Sequence, residues 1–294
     1  MSFVVVTDTS GNLPVQSILD HSLEIIPFSY FIDGKEYNII KDPDFDAEDY
    51  YARIGRGMKV TTSQIPPQQY ADFFETFVKQ GKDVVFVSMS SGISASCHQA
   101  EIAANMIMEA YPGRIVEVVD TLGASLGEGL IALQADSLRK LGLSAVEAAK
   151  ELRVHVQKMF NVFTVDNLMH LRRGGRLSNF SAVVGTVLQI KPLLKGNVEG
   201  KIVAFQKIRG RKQSIKALAE IYDQVVVRPE KQIIGIAQAA CREDAEYLAS
   251  LLRKNRPPKD IMMVEYEPVT GSHVGPGALA LFFESSEGIR SYGD

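Results

Sequence analysis

Short apolar strand patterns alternate with amphipathic helical patterns along this chain, and that alternation restricts its fold more than any other feature. Buried strands rich in valine and isoleucine are predicted at residues 3–6, 84–87 and 115–119. Helical periodicity is present at about 67–79, 94–110 and 124–141. Strands and helices that alternate in this way predict an α/β domain with a mostly parallel sheet and flanking helices.

The remaining sequence predicts a second domain of mixed α+β type. A capping box, Ser144-Ala145-Val146-Glu147, begins a helix that leads out of the first domain at about residue 156. Beyond it, strands are predicted at 159–165, 192–194, 202–205, 233–237 and 261–264, and helices at about 182–188 and 243–253. Because a chain of 294 residues is longer than one core usually grows, we expect two domains, 1–157 and 158–294.

The composition restricts the environment and the partners of the protein. With 32 basic and 35 acidic residues, the net charge is −3, so the overall field does not favour nucleic acid. The two cysteines, Cys97 and Cys241, lack metal-ligand or redox spacing, which predicts free thiols in a reducing compartment. No apolar stretch approaches the length of a membrane span, and the first residues run directly into a strand pattern. We therefore expect a cytoplasmic protein without stable membrane insertion.

The segment Ser88-Met89-Ser90-Ser91-Gly92-Ile93-Ser94 places hydroxyl groups between a predicted strand and a predicted helix. The first N–H groups of a helix lack partners within it and carry the positive end of its dipole, so such a segment can bind an anion. Because the segment contains no lysine or arginine, it suits one carboxylate better than a triphosphate. The alternative is that these serines only cap the helix.

Two further segments carry polar side chains at predicted turns. Thr61-Thr62-Ser63-Gln64 precedes a proline pair at a helix entrance, where N-capping is the simpler interpretation. The turn Gly271-Ser272-His273-Val274-Gly275-Pro276-Gly277 holds a histidine, which can donate to a carboxylate or have only a structural role. No Asp, Glu or Cys accompanies His273 at ligand spacing, so no metal site is predicted.

The basic segments and one glycine pattern each allow two interpretations. The basic segments 172–176 and 207–212 are interpreted either as a solvated face or as a surface that docks a partner or stabilises a phosphoryl group. Gly127-Glu128-Gly129 with Ala132 satisfies a loose dinucleotide-binding pattern. It lies inside a predicted helix, however, rather than at the strand-to-helix turn where phosphates bind, so close helix packing explains the glycines better.

Short motifs extend in a fixed order across nearly the whole chain. They are Thr7-Asp8-Thr9-Ser10, Thr62-Ser63-Gln64, Ser90-Ser91-Gly92-Ile93-Ser94, Val119-Asp120-Thr121, Arg173-Gly174-Gly175-Arg176-Leu177, Ile190-Lys191-Pro192 and His273-Val274-Gly275-Pro276-Gly277. The ordered set resembles the DegV family. The resemblance implies a two-domain α/β protein that binds one long-chain fatty acid and has no catalytic centre or cofactor of its own. It also implies a partner, the ATP-binding subunit of fatty acid kinase, to which several members present the carboxylate for conversion to acyl phosphate.

The resemblance implies roles for particular residues. The carboxylate would be bound by Thr62, Ser63, Ser91, Gly92, Ser94 and His273, and the second domain would contribute a buried tunnel for the acyl chain. Arg176 and Arg209 would contact the phosphoryl group or the kinase partner. The chain departs from the family where the serine turn commonly continues with serine, glycine, threonine and tyrosine. Here Ala95 and Cys97 change side-chain volume and remove a hydroxyl near the predicted carboxylate site.

Two different functions compete with fatty acid binding. The first is a serine-dependent lipid hydrolase that pairs one of these serines with His273. The chain lacks Gly-x-Ser-x-Gly, and its sequence identifies no carboxylate that would orient the histidine. The second is a nucleotide or sugar-phosphate site of the doubly wound type, which rests on architecture alone.

Overall fold

The computed structural model describes residues 3–41, 45–178 and 190–294. The chain divides into two compact units. Among the described residues, the first unit contains 3–41 and 62–156, and the second contains 45–61 and the described part of 157–294. The predicted α/β class is confirmed, because one unit has a parallel sheet and the other a mixed sheet, both combined with helices.

The regular elements follow one another as strands and helices of three to fifteen residues. Up to residue 158 they are β1 (Phe3–Asp8), α1 (Val15–Asp20), β2 (Glu24–Ile26), β3 (Tyr30–Ile32), β4 (Lys35–Tyr37), α2 (Ala47–Gly55), β5 (Val60–Thr62), α3 (Pro67–Val78), β6 (Asp83–Ser88), α4 (Ser96–Ala110), β7 (Val116–Asp120), α5 (Leu126–Lys140) and α6 (Ala145–Lys158). They continue with β8 (Met159–Thr164), α7 (Met169–Arg173), β9 (Ile190–Gly196), β10 (Ile202–Arg209), α8 (Arg211–Val225), β11 (Ile233–Gln238), α9 (Arg242–Asn255), β12 (Asp260–Glu265), α10 (Pro268–Val274) and β13 (Leu279–Glu284).

The first unit is built on a four-stranded parallel sheet with the order β2-β1-β6-β7. Every residue of β1 and β6 is buried, as expected for parallel strands that are covered on both faces. Helices α3 and α4 pack together, and α5 packs against β1 and β6. Strands β3 and β4 form a separate antiparallel hairpin in which Tyr30 lies opposite Tyr37.

The capping box predicted at the start of α6 is confirmed. The Ser144 N–H donates to Glu147 Oε2 at 2.9 Å, and the Glu147 N–H donates to Ser144 Oγ at 3.3 Å. Each of the two residues therefore satisfies a backbone donor that would otherwise lack a partner at the helix end.

The second unit is built on a six-stranded sheet with the order β10-β9-β8-β13-β11-β12. Neighbouring strands are antiparallel except for β11 and β12, which are parallel. Helices α8 and α9 cover one face, where Leu218 of α8 and Leu248 of α9 join Phe160 and Leu281 of the sheet in one buried core. The sequence analysis predicted no helix at the position of α8 and no strand at the position of β13. The helix predicted at 182–188 lies outside the described residues.

The segment 45–61 packs in the second unit, so the predicted domain boundary was wrong for these residues. Its helix, α2, buries Tyr50 and Tyr51. The Tyr50 hydroxyl donates to the Pro268 carbonyl at 2.8 Å, and the Tyr51 hydroxyl donates to the Tyr266 carbonyl at 2.7 Å. The amphipathic pattern of a helix gives the width of its buried face but not the identity of the unit that buries it.

Candidate functional site

Three strands of the first unit end in polar residues at the carboxyl edge of the parallel sheet. Strand β1 ends at Asp8, β6 ends at Ser88 and β7 ends at Asp120. The strand order changes direction between β1 and β6, which are neighbours although they lie far apart in the chain. In open α/β sheets, ligands bind outside the carboxyl ends of the strands at such a point. The serine segment after β6 therefore lies where this type of sheet usually carries a site.

The backbone donors of the serine segment are engaged within the protein. The Ser91 N–H donates to Asp120 Oδ1 at 3.2 Å, and the Gly92 N–H donates to Ser90 Oγ at 3.0 Å. The Ser94 N–H donates to the Ser90 carbonyl at 3.1 Å. Since helix α4 begins only at Ser96, the prediction that its first N–H groups include this segment was wrong. A carboxylate bound here would have to be held by side-chain hydroxyls.

The hydroxyl groups of this segment retain that capacity. Ser91 is exposed, and Ser94 is half-buried. Ser94 Oγ accepts from the Ser96 N–H at 3.2 Å, and a hydroxyl that accepts one bond still has its own proton to donate. The N-cap of α4 is Ala95, which makes no side-chain cap, so a capping role is limited to Ser94 and does not explain Ser91.

Asp120 fixes the serine segment, a role that no sequence motif had indicated. Its Oδ1 accepts from the Ser91 N–H and, at 2.9 Å, from the Leu122 N–H. One carboxylate thus ties the segment after β6 to the segment after β7. Asp120 follows a predicted buried strand directly, and this position is the sequence feature that could have indicated its role.

The Thr62 and Ser63 hydroxyls also belong to the first unit. Thr62 ends β5 and is half-buried, whereas Ser63 is exposed and its N–H donates to the Ser29 carbonyl at 3.4 Å. The N-cap of α3 is Pro66, which has no side-chain cap. The simpler interpretation of this segment, capping of α3, was therefore wrong. Proline in the first turn begins the helix instead, because its fixed φ is already helical.

A buried carboxyl pair lies next to the end of β1. Ser10 Oγ is 2.5 Å from Asp8 Oδ1 and 2.7 Å from Glu128 Oε2. A hydroxyl has one proton and donates to only one of these oxygens, so a hydrogen bond with the other carboxyl requires that carboxyl to supply the proton. Burial raises the pKa of Asp8 to about 6. Burial and then the charge of Asp8 raise the pKa of Glu128 well above its usual range.

Gly129, one of the two glycines beside Glu128, has the packing role that was predicted. Gly129 lies in α5, where an added Cβ would be 2.3 Å from the Gly11 carbonyl oxygen. Only a glycine allows α5 to approach the chain after β1 so closely. The loose dinucleotide-binding pattern is thus explained by helix packing.

His273 belongs to the second unit and lies in the last turn of α10, so its prediction as a turn residue was wrong. Glu267 begins this helix by accepting from the Val269 N–H at 2.7 Å. His273 is half-buried. Burial, with a smaller contribution from the charge of Arg176, lowers the pKa of His273 to about 4. The imidazole is therefore neutral at pH 7, with one nitrogen that donates and one that accepts.

The two predicted phosphoryl or partner residues, Arg176 and Arg209, also lie in the second unit. Arg176 is half-buried, donates to the Gly174 carbonyl and has a pKa lowered by burial. It is close enough to His273 to affect the titration of the imidazole. Arg209 is exposed at the end of β10, where it pairs in register with Ile190. The structure thus groups Arg176 with His273 and leaves Arg209 on the surface of the six-stranded sheet.

Membrane-spanning helices and metal-binding clusters are both absent from the described part of the chain. No helix in residues 3–41, 45–178 and 190–294 combines the length and the apolar character needed to cross a membrane. Over the same described residues, no three His, Cys, Asp or Glu side chains form a group that could hold a metal ion. Both cysteines, Cys97 and Cys241, are free thiols.

A parallel sheet with hydroxyl groups and carboxylates at its carboxyl edge, joined to a unit with a six-stranded mixed sheet, defines the chain as a two-unit α/β protein. Its sequence matches the model of the family described as "Uncharacterised protein, DegV family" over residues 2–286. The chain belongs to the DegV family. A DegV domain-containing protein of Clostridium perfringens is 36% identical over 281 residues, which are 96% of this chain and 97% of the relative.

Solved structures of fatty acid-binding DegV proteins have the same fold. One, from Streptococcus agalactiae, is 29% identical with a TM-score of 0.85, and the match covers 97% of this chain and 99% of that one. Another, a DegV family protein from Thermus thermophilus studied for its fatty acid binding, is 26% identical with a TM-score of 0.88. That match covers 97% of this chain and 100% of the Thermus chain.

Proposed function

We propose that this protein binds one long-chain fatty acid. The hydroxyls of Thr62, Ser63, Ser91 and Ser94 and the imidazole of His273 bind the carboxylate, and Gly92 lets the ligand approach the backbone closely. The acyl chain is enclosed in an apolar tunnel. Burial at about 0.8 kcal/mol per CH₂ makes the tail the main source of affinity, and the polar groups determine its orientation.

The observation that most supports this proposal is the serine segment at the carboxyl edge of the parallel sheet. It offers hydroxyl donors without a cation, and the exposed Ser91 lies in a turn that Asp120 fixes. Neutral donors suit one carboxylate, whereas a nucleotide would require cationic or metal partners for its phosphates. The fatty acid-binding relatives from Streptococcus agalactiae and Thermus thermophilus, which match along nearly the whole chain, support the same ligand class.

The experiment measures the affinity of delipidated protein for oleate. We expect Ser91→Ala and His273→Ala each to weaken oleate binding by about tenfold, the loss expected when one hydrogen bond to a charged group is removed. Ser137→Ala is the matched control, because Ser137 is an exposed serine of the first unit that donates to the Leu133 carbonyl at 3.1 Å within α5. Unchanged affinity in both site variants would refute the proposed head-group ligands.

The protein also presents the bound carboxylate to a separate ATP-binding kinase subunit and has no active centre of its own. Arg176 and the exposed Arg209 are the residues proposed to contact the phosphoryl group or the partner, because the planar guanidinium matches phosphate oxygens. We expect Arg176→Glu and Arg209→Glu to lose partner-dependent formation of acyl phosphate. Oleate affinity is the control for Arg209→Glu. Normal phosphorylation by both variants would eliminate this role.

A serine-dependent lipid hydrolase is the alternative function that the same residues allow. It would use Ser91 or a neighbouring serine as a nucleophile, which a fluorophosphonate probe labels covalently. We expect neither labelling nor ester turnover. Labelling that is lost in Ser91→Ala would contradict the assignment of the protein as a binding module.

A further inference from the structure

Helices α7 and α10 of the second unit contact each other through a reciprocal arrangement of histidine and glycine. Each helix ends at a glycine, Gly174 for α7 and Gly275 for α10. A Cβ added to Gly174 would be 2.4 Å from Nδ1 of His273 in α10. A Cβ added to Gly275 would be 2.3 Å from Cδ2 of His170 in α7. Each histidine thus packs on the backbone of the other helix at the point where a side chain is missing.

Gly174 and Gly275 are required for different reasons, one for a close contact and the other for its backbone conformation. Gly275 has φ of 75°, a left-handed conformation in which glycine is favoured whatever surrounds it. Gly174 has φ of −71° and ψ of −11°, which any residue adopts without strain. The backbone therefore does not explain Gly174. The contact that excludes a side chain there most closely is the one with the His273 ring.

This contact determines how the imidazole is oriented. Of the ring atoms, Nδ1 is nearest to the Cβ position of Gly174 and Cε1 lies 3.2 Å from it, so a side chain at this position would displace the ring. The same short segment brings Arg176 to the ring, because Arg176 donates to the Gly174 carbonyl and its charge acts on His273. The packing of the ring and the cation that acts on it thus both involve the segment at the end of α7.

We propose that Gly174 is a positioning residue for His273, which it holds on the end of α7 so that a ring nitrogen is presented to the head group of the ligand. This inference rests on the proposed function, because His273 is the proposed carboxylate ligand. It adds that α7 and α10 act together and that a residue with no polar side chain determines the geometry of head-group binding.

The test is a double-mutant cycle on delipidated protein with oleate as the ligand. We expect Gly174→Ala to weaken oleate binding by about tenfold, since the displaced ring loses its hydrogen bond to a charged group. In the His273→Ala background the same change meets no ring, so we expect no further loss from Gly174→Ala. An equal loss in both backgrounds, or no loss in either, would overturn the proposal.

The control variant is Gly55→Ala. Gly55 also lies at a helix end in the second unit, but its added Cβ would meet only Pro276 Cγ at 3.9 Å, an ordinary contact. We expect it to bind oleate like the parent protein. If Gly174→Ala fails to fold, the double variant Gly174→Ala/His273→Ala decides the question. Recovery of folding when the ring is removed supports the contact, and failure of both overturns it.

A second readout does not depend on the ligand. Burial, with a smaller contribution from Arg176, lowers the pKa of His273 to about 4, and the ring packs on Gly174 at the end of α7. Displacement by Gly174→Ala should move its NMR titration toward the usual 6.5, which a general loss of stability would not do. An unchanged titration would contradict the positioning role. Failure of the parent protein to bind oleate, in contrast, would refute the proposed function and leave this readout intact.

Discussion

At the scale of single residues, Asp8 and Glu128 form a buried carboxyl pair whose protonation depends on pH. Burial raises the pKa of both carboxyls, so the folded state holds protons more tightly than the unfolded chain does. Tyr70 and Cys97 lie close enough to interact with Asp8. Burial raises the pKa of both of these groups too, so they stay neutral and supply no compensating charge.

The sign of the effect of Asp8 follows from its raised pKa. Its contribution to stability is complete below the unfolded pKa of about 4 and is lost as pH rises through the folded value of about 6. We expect the free energy of unfolding of the parent protein, relative to that of Asp8→Asn, to fall across this interval. Urea unfolding at pH values from 4 to 7 measures the difference.

Comparison of the parent protein with Asp8→Asn separates the pH effect of Asp8 from that of His273. The pKa of His273 is lowered to about 4, so its contribution is lost as pH falls from 6.5, which is the opposite direction. Because His273 is present in both proteins, its effect cancels in the difference. Asp72→Asn, at an exposed position of α3, is the control that should leave the pH profile unchanged. If the free energy of unfolding of the parent protein and that of Asp8→Asn vary with pH in parallel, the raised pKa of Asp8 is refuted.

At the scale of elements, helix α6 begins with a side-chain cap, whereas α3 and α4 do not. Ser144 and Glu147 cap α6 reciprocally, but the N-caps of α3 and α4 are Pro66 and Ala95. Apart from Ser94, whose Oγ accepts from the Ser96 N–H, the hydroxyls before α3 and α4 are therefore not explained by capping of these helices. This contrast separates structural hydroxyls from the candidate functional ones.

Stability measurements on two serine variants test that separation. We expect Ser144→Ala to lower the free energy of unfolding by about 1 kcal/mol, the usual cost of losing a cap. Ser63→Ala should change it by less than about 0.5 kcal/mol, as for other exposed positions. Chemical denaturation measures both values. Equal losses would contradict the conclusion that Ser63 has no capping role.

The sequence predicted most elements of the first unit because their signals are local. Continuous apolar runs predicted β1, β6 and β7, and helical periodicity predicted α3, α4 and α5 to within about two residues. The errors arose where contacts between distant segments determine the secondary structure. His273 was predicted in a turn because Gly271 lies close by, yet that glycine is buried in α10, where an added Cβ would overlap the Tyr51 hydroxyl.

The candidate site was only partly accessible from the sequence. The serine segment was accessible because it follows a buried strand, and the motif order gave His273. The role of Asp120 depends on the pairing of β6 with β7, and that of Gly174 depends on the packing of α7 against α10. Both residues stand in short motifs, but their partners lie in elements distant in the chain, so the sequence did not identify the contacts themselves.

At the scale of the whole molecule, the family match and the fold extend over nearly all of the chain. The family model covers residues 2–286, and the Streptococcus agalactiae structure covers 97% of the chain. Each unit carries part of the proposed head-group set, with Thr62, Ser63, Ser91 and Ser94 in the first and His273 in the second. Fatty acid binding is therefore to be tested on the whole chain of 294 residues rather than on either unit alone.

The most direct measurement is the mass of the protein purified from a bacterial host, recorded under native conditions and again after denaturation. We predict that the native protein carries one long-chain fatty acid per chain and that denaturation releases it. Protein that is isolated free of lipid, and that takes up neither oleate nor palmitate when these are supplied, would contradict the account.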